Sequence, residues 1–221
     1  MNRTVPALLQ HFPRATEHFA GRRFAAAEIR CTGLAGWVGV AMSARPQLRS
    51  DLVRLTHRGL GVRDFSLSAA RLITRKVPFE GVCMLTMDPA TLLPTGEVVE
   101  NGLPPAATAR MTDIEMGGAD LNSFAALATT KQHTATLSGS TSGDLRRSLR
   151  HREIRAPHGF GDELRVVLFD ETTPWGALTL LRAADQPAFT PAEAALIDSA
   201  ASLLAEGLRR AILIDSRPEA S

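Results

Sequence analysis

The stretch ELRVVLFDETTPWGALTLLRAADQPAFTPAEAALIDSAASLLAEGLRRAI, residues 163–212, decides how this chain folds. Two short apolar runs, Glu163–Asp170 and Trp175–Arg182, read as strands. Glu171–Pro174 between them has the length and turn chemistry of a hairpin. Thr190-Pro191-Ala192-Glu193 then announces a helix. The Thr hydroxyl accepts an orphan backbone N–H, Pro suits the first helical position, and the Glu reaches back to the cap's own N–H. A long helix is expected from there to about Ile214.

Working outward, Val82–Met87 (VCMLTM) is a buried strand bounded by Gly81 and Asp88-Pro89. Thr91–Glu100 continues it as a second strand after a turn at Asp88–Ala90, and His133–Leu137 is a further brief strand. Helices are expected from Ser50 to Arg58, from Asp64 or Ser66 to Lys76, from Pro105 to Gly117, from Asn122 to Ala128, and over Asp144–Arg155. Ser138–Gly143 reads as a polar loop. Local hairpins inside a helix-flanked order indicate an α/β (α+β) fold with an antiparallel sheet, not a doubly wound parallel one. A dinucleotide-binding reading fails, because Gly59-Leu60-Gly61 follows no strand and Asp64 stands where that pattern needs Gly.

Residues 1–50 form a separate, partly disordered N-terminal extension in this reading, 51–216 the folded domain, and 217–221 a tail. Pro6, Pro13 and Pro46 punctuate the extension, and its apolar positions lack sustained periodicity. Its seven Arg against Glu17 and Glu28 leave it net +5, while residues 51–221 carry 18 basic and 21 acidic groups, net −3. An acidic main body is a poor general surface for nucleic acid, so no direct nucleic-acid binding is expected. The chain holds 23 Arg and 2 Lys and no Tyr, which reads as codon bias rather than as a DNA-binding signal. Cys31 and Cys83 are the two cysteines, too few for a disulfide scaffold, and no metal-binding spacing occurs. The longest apolar run, Leu34–Met42, is too short to span a membrane and lies too far from the start for a signal peptide. The expected location is the cytoplasm, with no membrane partner.

Along the last helix, Asp198, Ser202, Glu206, Arg209 and Arg210 make one narrow polar stripe. The remaining apolar arc is wider than packing on one sheet requires. Two readings follow: a helix cradled between the sheet and the N-terminal helices, or a homodimer seam formed by Ile197, Leu204, Leu208 and Ala211. The second is the expectation.

No catalytic set emerges. Gly139-Ser140-Thr141-Ser142-Gly143 has Thr at the nucleophile position and no preceding strand of the required kind. His151 and His158 lie near Asp162 and Glu163 in sequence without a Ser or Cys nucleophile placed with them. The helix bearing Arg146, Arg147, Arg150, Arg152 and Arg155 spreads its charges around the cylinder, as a solvated helix does, with contact to an anionic ligand as the alternative.

Val77–Gly96, Ser148–Ile154, Gly159–Asp170 and Pro174–Ile212, in that order, resemble the GAF-like sensor region of actinobacterial LuxR-type transcriptional regulators, over about residues 51 to 214. The resemblance implies a six-stranded antiparallel sheet flanked by helices, with a ligand pocket on one face and a dimerising helix on the other. It also implies a helix-turn-helix module after the sensor, and the expectation is that this chain lacks it. The implied pocket lies between the sheet and the segments 111–127 and 137–155. Asn122, Phe124, Arg150, His158 and Trp175 are its expected ligand-binding residues. Ser123 replaces the Lys of cyclic-nucleotide-binding GAF domains, so no nucleotide is carried over, and the cofactor stays unknown. The expected function is a non-enzymatic sensory or regulatory domain, a small-ligand-binding or dimerisation module associated with transcription regulation, with a homodimer partner and a small-molecule ligand as the expected partners. The alternatives are a small-molecule-modifying enzyme on the same scaffold and a truncated, non-functional regulator remnant.

Overall fold

The computed structural model describes residues 35–118 and 120–217, with the side chains of residues 35–44 and of Pro105 left aside. The hairpin read from the sequence is the centre of the fold. Strands β4 (Phe160–Asp170) and β5 (Thr173–Ala183) pair antiparallel with Leu164 opposite Leu180 and Val166 opposite Leu178. Strand β1 (Gly81–Met87) joins the other side of β5, with Val82 opposite Leu180 and Met84 opposite Leu178. Strand β2 (Pro94–Glu100) edges the sheet beyond β1, and the three-residue β3 (Thr134–Thr136) edges it beyond β4. The order is β2-β1-β5-β4-β3, antiparallel throughout.

Side-chain alternation gives this sheet two unlike faces. Val82, Met84, Leu164, Val166, Leu178 and Leu180 point to one face and are buried in the main core. That core is closed by helices α1 (Ala35–Thr56), α2 (Val62–Thr74) and α6 (Pro191–Asp215). Helix α6 lies on β3, β4 and β5, and α1 and α2 pack against α6. The capping box forms as expected: Glu193 N donates to Thr190 Oγ1, and Thr190 N donates to Glu193 Oε2. At the other end of α6, Asp215 Oδ2 accepts from Val62 N at 2.9 Å and so ties it to the start of α2.

The sheet has five strands among the described residues, not six. The chain between β2 and β3 goes instead into helices α3 (Pro105–Gly117) and α4 (Phe124–Thr129) on the second face. The boundary drawn at residue 50 falls inside α1. Ser50 is mid-helix rather than a cap, and Leu48, Leu52 and Leu55 supply a helical-spaced stripe to the core. The folded body therefore begins before residue 51; Cys31 and the first 34 residues lie outside the described residues.

The homodimer seam is corrected as well. Ile197, Leu204 and Leu208 are 0 % exposed and Ala211 1 %, all within this chain's own core. Their arc is wide because α6 is covered on one side by the sheet and on another by α1 and α2. A dimer has to use other residues.

Gly207 of α6 lies directly against Phe65 of α2. A Cβ there would run into the Phe65 ring, which is itself 2 % exposed and has little room to yield. Gly207→Ala is expected to destabilise by about 1–3 kcal/mol through overpacking, although Ala is the better helix former by about 1 kcal/mol. A urea midpoint at or above wild type would show that α2 and α6 can separate without loss.

Candidate functional site

The second face of the sheet carries charge. Cys83, Thr179 and Arg165 face one another across β1, β5 and β4, and Glu163 precedes Arg165 by one alternation on β4. This puts a Glu and an Arg side by side on a covered sheet face. Burying such groups is costly unless each is paired, and the segments over this face supply the partners.

Glu163 and Arg150, both with fully buried side chains, form the centre. Arg150 Nη2 donates to Glu163 Oε1 at 2.7 Å, and Arg155 Nε donates to Oε2 at 3.0 Å. Asp120 holds Arg150 from the other side, accepting from Arg150 Nη1 at 3.1 Å and from Arg150 N at 2.8 Å. It also accepts from Ser148 Oγ and from the backbone N–H groups of Leu121 and Leu149. Arg165 Nη1 donates to the Asn122 carbonyl at 2.8 Å, and its guanidinium lies 3.7 Å over the Phe124 ring centre. Glu115 of α3 accepts from Phe124 N through Oε1. Its Oε2 lies 2.9 Å from Arg165 Nη1 but is not aligned as a hydrogen bond. The cluster is thus Arg150, Arg155 and Arg165 against Asp120, Glu163 and Glu115, balanced in charge.

The titration behaviour follows from this packing. Burial by itself would raise the Glu163 carboxyl; Arg150, Arg155 and Arg165 overcome it and hold the group far below the ordinary carboxylate range. Asp120 is also lowered: burial opposes ionisation, and the Arg150 N–H, the Arg150 charge and Ser148 outweigh it. Burial pushes the Cys83 thiol up to about 12, helped by Glu97. Burial likewise lowers His151.

Of the residues named from the sequence, the fold brings Asn122, Phe124 and Arg150 together around Arg165 and Glu163. Arg150 is 0 % exposed and holds the network together; it is no direct ligand contact in this arrangement. Asn122 does not cap α4. It takes a left-handed φ of 56°, and Ser123 is the cap, its Oγ accepting from Ala126 N. His158 is exposed and outside the cluster, with Nδ1 2.7 Å from the Ile154 carbonyl. Trp175 is half-buried at a register irregularity near the hairpin end of β5, at the far end from Arg165. The expected Arg-bearing helix is broken into a 3-10 turn at Leu145–Arg147 and a π-helical turn at His151–Arg155. That break turns Arg150 and Arg155 inward and leaves Arg146 and Arg152 outside. The polar loop 138–143 is mostly a short helix, α5 (Leu137–Thr141), whose Ser138 N and Oγ donate to Asp162.

Cover over the site is uneven. Helix α3 buries Ile114, and its other polar ties are Glu115 and the Arg110–Glu153 ion pair, 2.7 Å and largely exposed. Two surface grooves lie elsewhere, one between α1 and α6 and one at the C-terminal ends of those helices, and neither is lined by any of the five expected ligand residues. Among the described residues, no helix is long and apolar enough to cross a membrane.

No protein-family model matches the chain, and comparison with curated proteins finds no match. Solved structures do match. SdiA of Escherichia coli aligns with a TM-score of 0.50 and 12% identity, covering 80% of this chain and 71% of that one. The VqsR LBD domain of Pseudomonas aeruginosa aligns at 0.47 and 14%, covering 82% and 99%. The GAF domain/HD domain protein of Geobacter sulfurreducens aligns at 0.41 and 17%, covering 74% and 97%. At 12% identity the likeness to SdiA is one of fold: among the described residues this chain forms a five-stranded antiparallel sheet flanked by helices.

Proposed function

We propose that the chain is a non-catalytic sensory domain of the kind found in LuxR-type transcriptional regulators. It acts in the cytoplasm and binds a small molecule with an anionic group beneath α3. The observation that carries this reading is Arg165. Its side chain is 4 % exposed, its Nε has no hydrogen-bond partner and lies 3.7 Å from Glu163, and its close carboxylate contact is Glu115 from the thinly attached α3. An incoming carboxylate or phosphate takes the place of Glu115 on Arg165, and α3 moves with the displaced side chain. Asn122, Phe124, Thr179 and Cys83 border that position. Binding thereby becomes a change in the position of one helix, which is what a sensor needs.

Several features favour sensing over catalysis. Glu163 and Asp120 are locked as ions, the Cys83 thiol is far from ionising at neutral pH, and His151 is held neutral. General acid–base work needs a group poised near the working pH, and these four are held away from it.

Glu115→Gln tests the reading. The variant leaves three guanidiniums against two carboxylates and removes the internal competitor. Thermal-shift titration with a panel of small carboxylates and phosphate esters is expected to give tighter binding than wild type, by about 10-fold or more for the best compound. Arg165→Met should abolish it. Equal affinity in wild type, Glu115→Gln and Arg165→Met would remove the site.

A further inference from the structure

Charge is divided unevenly over the folded body. Residues 45–76, which make most of α1 and all of α2, carry eight basic groups against Asp51 and Asp64, net +6. Residues 77–217 carry 12 basic and 18 acidic groups, net −6. Arg45, Arg49, Arg54, Arg58, Arg63, Arg71 and Arg75 are all exposed. Among the described residues, Arg54 alone of these seven has an ion-pair partner, Asp51. A folded chain does not place this much unpaired charge of one sign on one layer for stability, since like charges repel.

The same layer holds a groove between α1 and α6 of about 290 Å³. The exposed Pro46 and the buried edges of Leu48, Leu196 and Ala200 line it with apolar atoms, and the exposed Arg45 and Arg49 stand on its α1 side. It lies just below the range of small-molecule pockets, about 300–1,000 Å³, and it is open to solvent. An open apolar slot along two helices, with cations on its wall, has the chemistry of helix-in-groove recognition.

We infer that the α1–α6 groove with Arg45 and Arg49 docks an acidic amphipathic segment of a partner protein, its apolar side chains in the slot and its carboxylates on the arginines. Charge complementarity selects this occupant. The chain's own first 34 residues carry five Arg against two Glu, a net charge of the same sign as the layer, and so lack the complementary charge. Duplex nucleic acid satisfies the arginines but leaves the apolar slot unfilled. This inference is independent of the ligand site, which lies on the other face of the sheet.

Phage display of random peptides of roughly 14 residues, about four helical turns, on the full chain tests it. The expected enrichment is for apolar residues at helical spacing bracketed by Asp or Glu. Synthetic versions of the enriched peptides should lose at least ~10-fold in affinity on Arg45→Glu/Arg49→Glu, which changes exposed side chains alone. They should lose it again on Ser199→Trp, which fills the slot from α6 without altering charge. No enrichment, enrichment of neutral or basic peptides, or binding that survives both variants overturns the proposal. So does a ~20-base-pair duplex or a phosphatidylglycerol vesicle that binds the wild type and displaces the peptides, since the layer would then serve phosphate rather than protein.

Discussion

Glu163→Gln is expected to cost the fold about 3–5 kcal/mol, the range for breaking a buried ion pair by removing one partner. The change keeps size and shape but strips the charge that Arg150, Arg155 and Arg165 share. Three guanidiniums would then face two carboxylates, Asp120 and the partly exposed Glu115, at a buried site where screening is weak. A large part of a small domain's total stability would go. The pH dependence has a definite sign. Glu163 is depressed below its ordinary 4.5 when folded, so its contribution is complete above that value and is lost progressively as the pH falls into the strongly acid range. Wild-type protein should lose a little of its urea midpoint as the pH falls below about 6.5, where the unfolded chain protonates His151 and the fold resists it, and should lose more below about pH 5. The Gln variant should start lower and lose less on acidification. A variant as stable as wild type at pH 7 would mean that the cluster is wet and screened rather than buried.

Leu204→Ala is expected to cost about 2–5 kcal/mol, the range for truncating a core leucine. Leu204 is 0 % exposed, between the sheet and the α1–α2 layer. The informative measurement is the urea midpoint at two protein concentrations about 100-fold apart. A core residue lowers the midpoint equally at both. A seam residue would make the loss depend on concentration and leave the monomer's stability untouched. The second outcome would return Leu204 to the dimer reading that its burial opposes.

The central hairpin was legible because Glu163–Arg182 combines two strand-length apolar runs with a short turn, and local pattern decides such a unit. The capping box at Thr190 was legible for the same reason, four consecutive residues carrying the whole signal. The partners of the buried charges were not. Glu163 and Arg165 stand two apart in a run otherwise made of Leu, Val and Phe, and period-two alternation puts them on one covered face. That alternation is the available clue to the site, and grouping Glu163 with the histidines near it in sequence does not reveal it. Arg150 stands out in the sequence as one of five Arg between residues 146 and 155. Its burial depends on a π-helical turn that no local pattern announces. The wide apolar arc on α6 is legible in the sequence but its cause is not, since a helix covered on two sides by its own chain and one shared with a second chain have the same periodicity. The helix across residue 50 was hidden by Pro46 and by the glycines before it.

The strand order has a bearing on how the protein is made. β1 emerges from the ribosome early, yet its inner neighbour in the sheet is β5, which ends at Ala183. The first hairpin therefore waits, with one flank of its backbone unpaired, through the synthesis of the next eighty or so residues, and helix α6, which closes the core over it, comes later still. Nascent chains stalled anywhere before that point expose Val82 and Met84 without the layer that buries them, and a protein so ordered leans on chaperones during translation more than a fold of sequential neighbours does.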